Sequence, residues 1–358
     1  MIASRSNPLG KKLVALVFAL SLSPALRLAA QVAPAENTPA ENVPLISGGA
    51  AFLTATRGGD TTYLPIIEPL LAAPLGQHLL VESRAVLLED FYPSGGQSGY
   101  SHQHFIDLTY LQGDILASPH ATLVVGSFLL PFNTYNERLS PVWIENFQDS
   151  PEIENLGQLS TFTGVGAQLR GSAVSTGDLS IDYTAWFSAR SSNEQFSAER
   201  SSGGRISFYL PESRLETGFS YDRSLQDTQE NFFGAHLWWA SKGAALRLRS
   251  EMGIDHNDAG YWAEADLRTL RYGDNWRGRF EPVFRMSQTL RRASIAGDAD
   301  LPQVNTERAD FALDYNLPHN MRILTSYSRS FASTGNENIW ETGIVYRLLF
   351  PAWKGKSQ

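Results

Sequence analysis

"GDLSIDYTAWFSAR", residues 177–190, sorts its side chains with a period of two. Leu179, Ile181, Tyr183, Ala185, Phe187 and Ala189 fall on one side, and Ser180, Asp182, Thr184, Ser188 and Arg190 on the other. Successive side chains of a strand point to opposite faces, whereas a helix repeats every ~3.6 residues, so an extended strand separates these residues and a helix mixes them. Residues 243–255 repeat the pattern, setting Leu246, Leu248, Met252 and Ile254 against Arg247, Arg249, Glu251 and Asp255. Residues 261–268 set Tyr261, Ala263, Ala265 and Leu267 against Glu264, Asp266 and Arg268. Further runs lie near 46–56, 78–91, 103–113, 120–130, 158–172, 202–210, 213–224, 230–241, 277–290, 306–315, 319–331 and 337–350, and no helical stripe of comparable length competes with them.

The chain is therefore all-β. A sandwich in water would also alternate, burying one face and wetting the other. Three features point instead to a membrane. Many runs exceed the ~5–6 residues usual in soluble strands and reach the ~9–11 that a tilted transmembrane strand needs. The polar faces carry charges at successive positions, as a wet lumen requires, while the apolar faces include small residues such as Ala263 and Ala265. The turns also alternate, mostly, between short and long, as in an antiparallel barrel with short inner turns and long outer loops. An even count needs one more strand before residue 78, and "TTYLPIIEPLL", residues 61–71, is the candidate despite Pro65 and Pro69. The expectation is an antiparallel transmembrane β-barrel of about 16 strands, within roughly 14–18.

The ends of the chain fit export. Lys11 and Lys12 precede "LVALVFALSLSPAL" and then "RLAA", so residues 1–30 read as a secretory signal cleaved after Ala30. Residues 31–44, rich in Pro, Ala, Glu and Asn, read as a flexible periplasmic leader, 45–350 as the barrel and 351–358 as a periplasmic tail. Cysteine is absent, which excludes disulfides, thiolate metal sites and cysteine nucleophiles. Cleavage of the signal would remove Arg5, Lys11, Lys12 and Arg27 from 29 basic residues set against 37 acidic ones, and so acidic a chain is no nucleic-acid binder. Lys242, Lys354 and Lys356 are the lysines that remain; every other base is arginine.

Chemistry-bearing motifs are thin. Of seven histidines, His102 and His104 share a strand face without a visible third ligand, so neither a metal nor any cofactor is expected. "DHNDAGYWAEAD", residues 255–266, has the spacing of a calcium loop at Asp255, Asn257, Gly260 and Asp266, but Ala259 takes a ligand position and Asp266 falls in a strand, so a hairpin turn is expected. Gly164 and Gly166 precede no helix and instead thin the wall where another segment presses on it. No G-x-S-x-G or other nucleophile motif is present, and the chain is not expected to be an enzyme.

One connection stands out. "PFNTYNERLSPVWIENFQDSP", residues 131–151, is far longer than the ~12–15 residues beyond which structureless loops become uncommon, and it is too aromatic to read as disordered. Between the fifth and sixth strands it would fold inward and narrow the lumen, with Tyr135, Glu137, Arg138, Glu145 and Asp149 nearest the constriction. Candidate lumen-wall residues are Arg170, Asp182, Arg190, Arg205, Arg247, Arg249, Glu264 and Arg268, followed by Arg214, Glu216, Glu251, Asp310, Asp314 and Arg322. Both signs occur, so the sequence does not choose between anions and cations.

The last strand, "ETGIVYRLLF", places Ile344, Tyr346, Leu348 and Phe350 on one face after Gly343. It resembles the terminal-strand assembly signal of Gram-negative outer-membrane barrels, departing from it in that "PAWKGKSQ" follows Phe350. "VVGSFLLPFNTYNERLSP", residues 124–141, resembles the segment of phosphate-selective-porin-like proteins in which Gly-x-Phe-x-x-Pro-Phe leads into a large loop, here Gly126, Phe128, Pro131 and Phe132. The resemblance implies a diffusion channel of the cell outer membrane with an inward third loop. It also implies a homotrimer, with the barrel-assembly machinery, outer-membrane lipid and lipopolysaccharide as partners. Phosphate specificity does not carry over, because the lysine clusters associated with it are missing. The alternatives are an outer-membrane barrel enzyme of lipase or protease type, and a plugged structural or adhesive barrel.

Overall fold

The alternating runs pair edge to edge until the sheet closes on itself. The computed structural model describes residues 43–351 apart from 95–98, 156–162, 194, 227–228, 257, 270–274, 292–304 and 333–334. The expected signal, all but the last two residues of the 31–44 leader, and the tail after Pro351 lie outside the described residues.

The strands are β1 (Leu45–Arg57), β2 (Asp60–Leu75), β3 (Leu79–Pro93), β4 (Tyr100–Ser118), β5 (Ala121–Leu129), β6 (Thr163–Ser175) and β7 (Ser180–Ser188). A small outer hairpin, β8 (Ser191–Asn193) and β9 (Phe196–Ala198), follows. Next come β10 (Ser201–Leu210), β11 (Leu215–Ser224), β12 (Asn231–Ala240), β13 (Leu246–Ile254) and β14 (Asp258–Leu267). The wall ends with β15 (Phe280–Arg291), β16 (Thr306–Leu317), β17 (Met321–Ala332) and β18 (Gly335–Pro351). All but β8 and β9 form one closed antiparallel barrel of 16 strands. β1 pairs with β2 on one side and with β18 on the other, from Leu45↔Pro351 to Arg57↔Ile339. No edge is left, so every strand has a ladder on both sides, the condition for a sheet to sit in hydrocarbon. Leu45 and Pro351 mark one rim, called here the terminal rim, and the loop after β5 leaves from the other.

Burial runs opposite to that of a sandwich in water. On β16 the side chains of Thr306, Arg308, Asp310, Ala312 and Asp314 are buried inside the barrel, while Phe311 and Leu313 stand exposed outside. On β7, Thr184, Trp186 and Ser188 point in, and Ala185 and Phe187 point out. Phe52, Val125, Leu169, Phe219, Phe233 and Leu237 continue the outer apolar surface. An apolar exterior around a polar interior is the arrangement that lipid stabilises and water does not.

β2 is a full member of the wall in spite of its prolines. It pairs with β1 without a break from Leu45↔Ala72 to Arg57↔Asp60. Toward β3 the ladder runs through Tyr63↔Phe91, Ile66↔Leu88, Ile67↔Leu87 and Leu70↔Arg84, skipping Pro65 and Pro69, which have no N–H to give. Opposite Pro69 stands Gly48, at φ +138°, where a Cβ would lie 2.0 Å from the Glu68 carbonyl oxygen. The unpaired positions toward β3, Leu64–Pro65 and Glu68–Pro69, are tolerated because closure and the apolar face hold the strand. The turn pattern also has exceptions: β1 and β2, β13 and β14, and β17 and β18 join by short turns at the loop rim, and β14 and β15 by the long stretch 268–279 at the terminal rim.

Candidate functional site: the loop across the lumen

The chain leaves β5 through Gly126, whose φ of +132° belongs to glycine, and through Phe128, both in the motif singled out above. Leu130 and Phe132 bury themselves against Val124, Phe128 and Trp186. Asn133 and Thr134 then fasten the loop to the far wall. The Asn133 backbone N–H donates to Ser220 Oγ at 3.0 Å, its side-chain amide donates to the Met252 carbonyl at 3.2 Å, and its own carbonyl accepts from Arg205. Both the Thr134 N–H, at 2.8 Å, and its hydroxyl donate to the Glu251 carboxylate. A single helical turn, α1 (Tyr135–Arg138), follows. One turn is too short to be stable alone, and Tyr135 holds it by packing edge-on against buried Trp262, ring centres 5.7 Å apart.

From α1 the loop turns toward the first strands. Arg84 on β3 donates to Ser140 Oγ at 3.1 Å, and the Val142 N–H donates to Glu68 on β2 at 3.0 Å. Val142 packs with Ala51, Leu53, Leu324 and Val345, joining β1, β17 and β18. Asn146 donates to Glu264 at 3.0 Å and accepts from Arg322 at 3.2 Å. Phe147 packs on Val283 and Ala312, with the Arg285 guanidinium 4.4 Å from its ring centre. Asp149 accepts from Arg57 and from Arg308, each at 2.7 Å, and its carbonyl accepts from Arg285 at 2.7 Å. In α2 (Glu152–Asn155), Glu152 accepts from Thr306 at 2.9 Å and Ile153 packs with Tyr135 and Trp262. The segment is thus fastened to β1, β2, β3, β10, β11 and β13 through β18, and it lies across the lumen.

Glycines in the wall mark where it presses. A Cβ on Gly49 would come within 2.8 Å of Trp143, one on Gly164 within 3.0 Å of Leu130, and one on Gly234 within 2.4 Å of the Asn133 side chain. Any larger residue there would push the loop inward.

Of the loop residues expected at the constriction, Glu137 and Arg138 face the wall of β10 and β11, Arg138 pairing with Glu216 at 2.8 Å and Glu137 with Arg205 at 2.7 Å. Tyr135 donates its hydroxyl to Glu145 at 2.9 Å, while Asp149 lies farther along, among Arg57, Arg285 and Arg308. Surrounding protein pushes the Glu145 carboxyl well above its ordinary range; the Tyr135 hydroxyl offsets this in part and nearby Glu68 adds to it. Burial likewise pushes the Tyr135 phenol up. Burial also acts to raise Asp149, but the guanidiniums of Arg308 and Arg57 outweigh it and hold this carboxyl below its ordinary value. The loop therefore carries one carboxyl pushed up by its surroundings and one held down.

The wall candidates divide. Arg170 pairs with Asp114, Arg247 with Asp266 and Glu281, Arg249 with Glu264 and Asp266, and Arg268 with Glu281. Asp182 is exposed near the terminal rim, bonded to Ser180 at 3.2 Å. Arg190 is not on the wall: β7 ends at Ser188, and Arg190 is exposed in the outer connection. Arg214 sits in a turn at φ +53° and donates to the Ser241 carbonyl, again off the wall. Arg285 and Arg308 were passed over, although each shares a strand face with acidic residues at a period of two. On β18, Gly343 faces inward beneath Leu53, while Tyr346 and Phe350 stand exposed outside and Leu348 half-exposed beside them.

One group has the composition of a hydrolase triad without its geometry. His236 Nε2 lies 3.5 Å from Ser207 Oγ and 3.6 Å from Glu216 Oε1 while Nδ1 has no hydrogen-bond partner, so serine and acid do not sit on opposite ring nitrogens as a triad requires. The calcium-like stretch is a hairpin, in which Asp258 N–H bonds the Asp255 carboxylate at 2.5 Å and Asp266 is engaged by Arg247. His102 stacks on Phe91 at the outer end of β4, with ring centres 5.8 Å apart.

No family model matches the chain, and no curated protein does. Solved structures match closely in shape. OmpF of Salmonella typhi, in complex with daunomycin, superposes with a TM-score of 0.60 at 10% identity over 86% of this chain and 98% of that one. A loop L8 deletion mutant of OmpT, an outer membrane protein of Vibrio cholerae, gives 0.57 at 8% identity over 86% and 100%. An anion-selective porin from Comamonas acidovorans gives 0.53 at 10% identity over 86% and 98%. The chain shares with these proteins the fold of a closed 16-strand antiparallel barrel. The narrower phosphate-selective likeness rests on its motif alone.

Proposed function

We propose that the protein is an outer-membrane porin through which small hydrophilic solutes diffuse passively around the loop in the barrel. The observation that carries this reading is a polar lumen crossed by a fastened loop inside a closed barrel whose outer face is apolar. Such a wall is stable in lipid, and the loop sets the width and charge of what passes without bond chemistry. Export behind a cleaved leader, delivery by the barrel-assembly machinery and assembly as a homotrimer belong to the same proposal.

The test is conductance in planar bilayers with protein purified in detergent. Discrete, long-lived current steps support the reading; a folded protein that never conducts favours the plugged barrel. Hydrolysis of lipids or peptides by the same preparation would favour the enzyme. The single-nitrogen arrangement at His236 argues against that second outcome.

A further inference from the structure

Most ion pairs of the lumen have a polarity that the net charge conceals. In Arg138–Glu216 the arginine side chain is 39% exposed and the carboxylate 18%. In Arg170–Asp114 the values are 38% and 4%, in Arg247–Asp266 25% and 0%, and in Arg268–Glu281 41% and 6%. The base faces the water and the acid is set back into the wall. Among the described arginine pairs, Arg205–Glu137 and Arg308–Asp149 run the other way, Arg249–Glu264 is even, and Asp182 is an exposed carboxylate at the terminal rim. Asp149 is in turn screened by Arg57, the more exposed partner of that pair.

The residue type makes this polarity effective. A guanidinium carries five N–H donors in a planar fork, and a carboxylate occupies two of them at most, so a paired arginine still presents donors and positive charge to the lumen. Its charge does not vary with pH in the working range. A solute ion passing the wall meets the guanidinium first, at hydrogen-bond distance, and the carboxylate only behind it. At these separations the Coulomb energy falls with distance, so the nearer charge governs even though each pair is neutral.

From this partition we infer that the pore prefers small anions, and that Arg138, Arg170, Arg247 and Arg268 determine the preference in a chain that is acidic overall. The inference rests on the pore reading. Its test is the reversal potential of the full-length protein in planar bilayers under a potassium chloride gradient, whose two ions have matched mobilities in water. A chloride-to-potassium permeability ratio above unity supports the proposal. Arg138→Gln and Arg170→Gln should each lower that ratio, with heat-modifiable gel mobility confirming that the barrel has folded. Should Arg170→Gln fail to fold, with Asp114 left unpaired, Arg268→Gln tests the same point at a more exposed site. Arg329→Gln, on the outer face where Arg329 bonds Asn338, should leave the ratio unchanged. A conducting protein with a ratio at or below unity, or variants that do not move it, overturns the anion preference. A folded protein that does not conduct overturns the pore reading itself and is told apart by the absence of any current.

Discussion

Val142 and Asp149 lie on the same loop and are held by opposite chemistry. Around Val142 the contacts are Ala51, Leu53, Leu324 and Val345, all apolar, although these positions face the interior of a barrel whose lumen is otherwise polar. Around Asp149 they are Arg57, Arg285 and Arg308, with Asp310 tying two of the arginines together. The apolar flank gains stability from every contact and tolerates small shifts, because the hydrophobic effect has no direction. The charged flank gains little net stability, since desolvation offsets attraction, but it penalises any arrangement that leaves a charge alone. One flank supplies adhesion and the other specifies position.

The largest disturbance of this contrast is removal of the middle of the loop. Deleting about ten residues between α1 and Asp149 should raise single-channel conductance several-fold by widening the constriction; unchanged conductance would mean that the loop does not limit the passage.

On the charged flank, Arg308→Ala removes the guanidinium that joins Asp149 and Asp310, leaving Asp149 with Arg57 and Asp310 with Arg285, and should cost about 3 kcal/mol, the low end for a broken buried pair. The measurement is the temperature at which the heat-modifiable gel band shifts. On the apolar flank, Leu53→Ala should cost ~2–3 kcal/mol, at the low end for buried leucine because Trp143 can settle toward the gap. If Arg308→Ala proved the milder of the two, the division of roles would fail.

Smaller still is Glu145→Gln. Burial pushes the Glu145 carboxyl up and so disfavours its charged form, and the amide oxygen of Gln can still accept from Tyr135, so the change should stay within about 1 kcal/mol.

The pH dependence separates the two carboxyls. Asp149 is held below its ordinary value of 3.8, so its contribution is complete above that value and disappears as pH falls through the lower native one. The stability difference between wild type and Asp149→Asn should therefore be the same at about pH 7 and about pH 5, and shrink only in stronger acid. Glu145, raised in the folded protein, acts in the other direction and is favoured by acid.

Much of this was legible along the chain. β7 and β14 can be read directly, because a wall with lipid on one side and water on the other forces a period of two. The long loop declared itself by length and composition. β2 was the hardest strand to read, since Pro65 and Pro69 argue locally against a wall position that closure of the sheet enforces. Arg190 was misplaced because alternation continues past Ser188 while the ladder does not. Gly164 was readable as a thin place, yet only the fold shows that Leu130 is what presses on it.

By itself the sequence determined the strand faces, the barrel and the existence of a large irregular segment between the fifth and sixth strands, because periodicity and loop length are local properties set by the solvents on either side of the wall, while the course of that segment through the lumen is not local. Only the tertiary structure decided which strands the loop fastens to, that Arg285 and Arg308 meet Asp149, and which member of each ion pair faces the water. Those pairings join residues far apart in the chain, and their exposure depends on how the closed wall and the loop fill the space between them.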